Sequence, residues 1–231
     1  QVAITVAIIS NALTIIGERF NFMNQGSGVD EESVLVFRVS HFSQDENFRQ
    51  QYPIDEEHLR TKPGVLNASV TNMVPFGNNS SSFTVSDNSS DVEEGQKKQY
   101  SAGAFFATEG FIDTMGANVI EGRNFNRDEI MWGGDVYKAI PAVITKDMAD
   151  AFFPDESAIG KVLYAYGDNP LTVIGVVDKL RNAYLRHDGV DRSVFIPNIA
   201  MASEQHFVVR VQPEDVPTVR EQITNWMLEV N

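Results

Sequence analysis

Apolar and polar positions divide the chain into helical and extended stretches. Val2–Ile16 reads VAITVAIISNALTII and carries no charge. At about 100° per residue, Ser10, Asn11, Thr14, Glu18 and Asn21 fall on one face, and the rest of the circumference is apolar. The run is shorter than the roughly 20 residues that cross a bilayer. It is expected to be the outer half of a membrane span that continues as a helix into water through GERFNFM; the plainer alternative is a core helix with one wet stripe. At the other end, Val216, Val219, Ile223, Trp226 and Val230 form one helical stripe behind a candidate N-cap at Asp215, with Pro217 in the first turn. Neither Gly nor Pro closes that helix before Asn231. The two terminal helices are expected to pack near each other.

Between the ends the pattern alternates. Ser33–Val39 and Gly64–Met73 read as strands on either side of a polar helix, Asp45–Arg60, broken or restarted at Pro53. Pro75–Gln96 is rich in Gly, Asn and Ser and encloses a short edge strand, SFTVS. Gln99–Ala107 is a strand, Glu109–Met115 a short helix closed by Gly116, and Glu121–Phe125 a turn. Ala139–Ile144 is a strand leading into a helix that Pro154 and Asp155 end. Lys161–Ala165, Leu171–Val177, Ser193–Pro197 and His206–Val211 complete the strands. The expected fold class is α+β. The expected division is a helical stalk at 1–29, a discontinuous subdomain from 30–75 and 170–231, and an inserted subdomain at 76–169.

Charge narrows the partners. The chain has 32 acidic and 18 basic residues, a net charge of −14. This argues against nucleic acid and anionic headgroups, which need clustered Lys and Arg. There are no cysteines, which excludes a disulfide framework, a thiolate zinc site and a Cys nucleophile. The histidines, His41, His58, His187 and His206, lack the i, i+4 spacing of a helical metal pair. Asp87–Gly95 fails as a calcium loop, with Val92 where Gly is needed and Lys98 where Glu is needed. Gly160-Lys161 fails as a phosphate loop, because Asp155 replaces the first Gly and Val162 the Ser or Thr. Asp128 and Glu129 are adjacent and point apart on any regular element. No catalytic, cofactor-binding or metal constellation is expected.

Three ordered stretches, Gly110–Glu129, Ala139–Tyr164 and Leu171–Leu180, resemble the periplasmic core domain of MacB-like (MacB/FtsX-type) ABC transporter permeases. The resemblance rests on Gly122-Arg123, Phe125, Val143-Ile144, Phe153, Gly160-Lys161 and Ile174-Gly175-Val176-Val177. The family's usual Pro before the Gly-Lys pair is replaced by Ala158-Ile159. The resemblance implies a porter-like α/β sandwich subdomain, discontinuous in sequence, with an inserted sabre-like α+β subdomain. It implies structural roles for Gly122, Arg123, Phe125, Phe153, Gly160, Lys161 and Gly175. It further implies a place in the bacterial inner membrane facing the periplasm, a cytoplasmic ATP-binding subunit, a second permease copy, and an adaptor or substrate protein.

The functional expectation is a non-enzymatic ectodomain that passes ATP-driven motion outward, with Val219, Ile223 and Trp226 on the coupling helix. The alternative is a periplasmic sensor or binding module for a cationic peptide. The purified chain is expected neither to bind nor to hydrolyse ATP. Saturable binding by titration calorimetry that is lost in Lys161→Ala would contradict the reading of Gly160-Lys161 as a turn.

Overall fold

The computed structural model describes residues 2–23, 26–40, 47–75, 77, 81–93, 95, 97–133, 140–165, 168–182, 189–199 and 204–230. His41, Asp45, Ala139 and His187 lie outside them. Two sheets carry the fold. The first is three-stranded and antiparallel, ordered β1 (Val34–Ser40), β12 (Glu204–Val211), β2 (Val65–Thr71). Its strands are Val- and Phe-rich, which suits a pleated, half-buried surface. In register, Phe37 faces Phe207 and their rings stack at 5.6 Å.

Two helices flank this sheet: α2 (Phe48–Arg60) links β1 to β2, and α5 (Val216–Val230) follows β12. Helix α2 buries Tyr52, Asp55, Glu56 and Leu59 at helical spacing. Tyr52 meets Phe207 edge-on at 6.1 Å. The helix does not break at Pro53 as the sequence suggests. Proline there removes one backbone hydrogen bond, and burial of Tyr52 and Leu59 on either side holds the helix through it.

The second sheet has seven strands: β3 (Ser82–Ser86), β4 (Gln99–Phe106), β5 (Val119–Gly122), β7 (Ile140–Thr145), β8 (Val162–Ala165), β9 (Asn169–Val177) and β10 (Ser193–Ile196). Their order is β5-β9-β7-β10-β4-β3-β8, and β8 also pairs with β9. That last pairing closes the strands other than β5 into a ring. Strand β5 lies along the part of β9 beyond β8, at Gly175–Val177. Side chains alternate between two cores, as the strand period requires. Val85, Ala104, Ile140, Ala142, Ile144, Leu163, Val173 and Val194 come from every strand of the ring and fill its interior, together with Met148 and Phe152 of α4 (Lys146–Phe152). Phe105, Val143, Val177 and Phe195 point the other way, into a core shared with the first sheet.

Several expectations change here. SFTVS is not an edge strand: β3 is paired with β4 on one side and β8 on the other. Strand β5 reaches into the stretch expected to be only a turn, and the chain turns at Gly122, with φ +69°. Strands β9 and β10 pair into the seven-stranded sheet, so among residues 170–230 only the stretch from 204 onward joins β1 and β2. A small parallel pair, β6 (Met131–Trp132) with β11 (Asn198–Ile199), was not expected.

The first helix, α1 (Val2–Met23), is continuous, and Ala3–Phe20 is long and apolar enough to cross a membrane. Residues 3–20 are exposed throughout, so α1 is not packed against α5, contrary to expectation. Burial of α5 is satisfied by the first sheet and α2, and α1's apolar circumference has no protein cover.

Glycines allow the close antiparallel pairing at the end of β5 with β9. A Cβ on Gly175 would stand 2.1 Å from the Arg123 carbonyl oxygen, and one on Gly122 would stand 2.2 Å from that of Ile174. At Gly160, φ is +79° but the space around a Cβ is open. Gly175→Ala should therefore cost about 1–3 kcal/mol or more by forcing two backbones apart. Gly160→Ala should cost about 1 kcal/mol of local strain. Denaturant midpoints of the two variants check this; equal losses would contradict the close-approach account.

Candidate coupling site

The residues singled out by sequence occupy two places. Gly122, Arg123, Gly160, Lys161 and Gly175 gather around β9. The Arg123 N–H donates to the Ile174 carbonyl at 2.9 Å, Gly160 N–H to Val173 at 2.8 Å, and Val173 N–H to Lys161 at 2.9 Å. Lys161 pairs with Glu156 at 2.6 Å and lies 5.7 Å from the centre of the Phe153 ring. Gly160-Lys161 is thus a turn fastened to a strand by its backbone, with its ammonium already paired.

Arg123 grips Glu129 with both terminal nitrogens, at 2.7 and 2.8 Å, and holds that carboxyl below its ordinary pKa. This fork fixes the loop that carries Phe125 into the shared core. The Asn124 side chain donates from the same loop to the Glu109 carbonyl at 2.8 Å, and Arg127 stands 3.7 Å from Glu57 of α2.

The other group is on α5. Val219, Ile223 and Trp226 are buried in the shared core, while Leu228 on the same helix is 77% exposed. The Trp226 ring lies 5.4 Å from that of His58 on α2, with the Lys62 ammonium 6.0 Å from its centre. Helix α5 is held by one face over β1 and α2.

Sequence reasoning missed the polar joint between the two groups. Arg60 of α2 donates to the Ala68 carbonyl from Nε at 3.1 Å and Nη2 at 3.0 Å, to Glu56 at 2.9 Å and to Glu109 at 3.2 Å. The Thr108 hydroxyl donates to Glu56 at 2.5 Å and shares a hydrogen bond with Ser69 at 2.7 Å. One guanidinium therefore ties α2 to β2 and to the segment leaving β4. The i, i+4 spacing of Glu56 and Arg60 was the only signal for it in the sequence. Burial pushes the Glu56 carboxyl up to about 7, against the opposing pull of Arg60 and Thr108.

Pro53, Ile54, Glu57, His58, Thr61 and Arg127 line a groove of about 450 Å³, most of them exposed. Among the described residues no group of three or more side chains could hold a metal ion.

The model of the MacB-like periplasmic core domain matches residues 2–226. The chain belongs to that family. It is a periplasmic domain of a MacB-like ABC transporter permease, and the family is a transporter domain rather than an enzyme class. Among solved structures, the periplasmic region of MacB from Actinobacillus actinomycetemcomitans is 14% identical, with 90% of this chain and 89% of that one covered at a TM-score of 0.51. The extracellular domain of the ABC-type transporter YknZ from Gram-positive bacteria is 16% identical, covering 80% of this chain and 88% of that one at a TM-score of 0.48. No curated protein matches the chain. At such identity the MacB likeness speaks to the fold, which is α+β and porter-like.

The joint predicts a pH dependence. A Glu56 pKa above its ordinary value means the folded state keeps a proton that the unfolded chain releases between pH 4.5 and 7. Stability should fall as pH rises through that window, by about 1.4 kcal/mol per unit at most, and level off above it. Glu56→Gln, which does not titrate, should lose this component. Urea unfolding of both proteins across the window checks it; parallel stability profiles would contradict the assignment.

Proposed function

We propose that this domain transmits ATP-driven motion of a permease's membrane helices to the periplasmic side of a bacterial inner membrane, where a substrate is exported or extracted. The observation that carries the proposal is the contrast between the terminal helices. Apolar α1 is uncovered from Ala3 to Phe20, and α5 is tied to the body by Val219, Ile223 and Trp226. One helix suits lipid and the other suits a lever seated on a packed domain. The motor is a cytoplasmic ATP-binding subunit, and the assembly contains a second permease copy and can engage an adaptor or substrate protein.

In this reading the three-stranded sheet with α2 and α5 is the porter-like part, drawn from 30–75 and the C-terminal stretch. The sabre-like part, 76–169, is inserted between them and shares its sheet with β9 and β10. The glycine and arginine contacts around β9 keep that part rigid, which a displaced body needs.

Trp226→Ala tests the proposal. As a core truncation it should cost about 3–5 kcal/mol of stability. In the full transporter, provided a thermal melt shows the variant folded, ATP turnover should persist while transport falls. A folded variant with wild-type transport would remove α5 from the path.

A further inference from the structure

The stretch between α1 and β1 contains Gly26-Ser27-Gly28, the composition of a flexible tether. Its contacts are those of a clamp. The Arg181 N–H, just past β9, donates to the Ser27 carbonyl at 3.0 Å. Gly28 has φ +78°, and a Cβ there would stand 2.1 Å from the Lys179 carbonyl oxygen, so this backbone is pressed against the segment leaving the second sheet. The Asp30 N–H donates to the Met115 carbonyl at the end of α3 (Phe111–Met115), at 2.9 Å. The Val211 N–H of β12 donates to the Ser33 carbonyl at 2.8 Å.

A single guanidinium locks the arrangement. Arg210 of β12 donates from Nη2 to the Asp30 carboxylate and from Nη1 to the Asp113 carbonyl, both at 2.9 Å. Its buried Nε has no hydrogen-bond partner, so the hold of its head group rests on those two bonds.

We infer that residues 26–33 are the joint through which displacement of α1 enters both sheets at once, with Asp30 and Arg210 as its lock and Gly28 as its close-packed seat. The inference rests on the proposed transmission role. The ring of Trp226 on α5 meets His58 of α2 and the Lys62 ammonium, whereas this joint is hydrogen-bonded to β12, to the end of α3 and to the segment just past β9 together. A body pulled through that point moves whole. A tether free to rotate at its glycines would absorb the motion instead.

The test uses the full transporter in lipid nanodiscs, with nitroxides on cysteines introduced at Glu18 and Asp128, both exposed in a chain without native cysteine. Pulsed electron-spin resonance reads the Glu18–Asp128 distance within one copy and the Asp128–Asp128 distance between copies. Each is read without nucleotide and with ATP and vanadate trapped.

The copy-to-copy distance should shift on trapping, while the distance within a copy keeps its mean and width. Asp30→Arg should broaden or shift the distance within a copy on trapping, and adding Arg210→Asp should restore it in part, since the new carboxylate re-forms the ion pair but cannot donate to the Asp113 carbonyl. Asp30→Asn provides a milder break if Asp30→Arg fails to fold. A distance within the wild-type copy that shifts on trapping, a broken lock that changes nothing, or a charge swap that restores nothing would each overturn the joint. If the copy-to-copy distance itself never shifts, the transmission proposal fails first, and the two failures are told apart.

Discussion

Phe105, Phe111 and Phe195 hold the two sheets to each other. Phe105 and Phe195 stack at 5.3 Å from neighbouring strands of the second sheet, and Phe111 of α3 closes on them at 5.4 and 6.1 Å. All three are fully buried, and α3 packs in turn on β2 and β12 of the first sheet. Each such ring contributes on the order of 2–3 kcal/mol by burial, with a further increment from ring–ring geometry. Because this core is continuous with Phe207, Val209 and Trp226, the sheets cannot part without exposing it. Rigidity, the α5 seat and the Arg60 joint all presuppose that contact.

The polar groups then set register rather than cohesion. Arg60 and Arg210 each bridge segments far apart in sequence, and each spends its donors on backbone carbonyls as well as carboxylates. A fork of fixed geometry orients its partners more strictly than a point charge does. The Arg60–Glu56 pair is largely buried and the Arg210–Asp30 pair half-buried, where desolvation offsets much of the Coulombic gain, so their role is read from where they sit, at the places where separate elements must keep a fixed relation.

Much of this was legible in the chain because the signals are local. β-Branched alternation marked β1, the Val219–Ile223–Trp226 stripe marked the buried face of α5, and Gly116 marked the end of α3, where it is left-handed. The unread features depend on what a segment meets. SFTVS looks the same whether its second edge is free or covered, and only closure of β8 onto β9 makes it internal. The strand at 169–177 has the same pattern in either sheet, so its partners alone assign it. Pro53 obeyed a rule that burial around it outweighed. The composition of Gly26-Ser27-Gly28 carries no record of the Lys179 carbonyl pressed against Gly28. The Glu56 joint had only a helical spacing to announce it, since its chemistry comes from burial.

The central claim is that both sheets and the 26–33 joint form one body displaced by the membrane helices. Cryo-electron microscopy of the full permease with its ATP-binding subunit, nucleotide-free and trapped, tests it most directly. The account predicts that residues 26–33, the three-stranded sheet and the closed ring superpose as one unit in the two states, while that unit changes position relative to its second copy. A rotation of one sheet against the other, about the Phe105–Phe111–Phe195 contact, would contradict it.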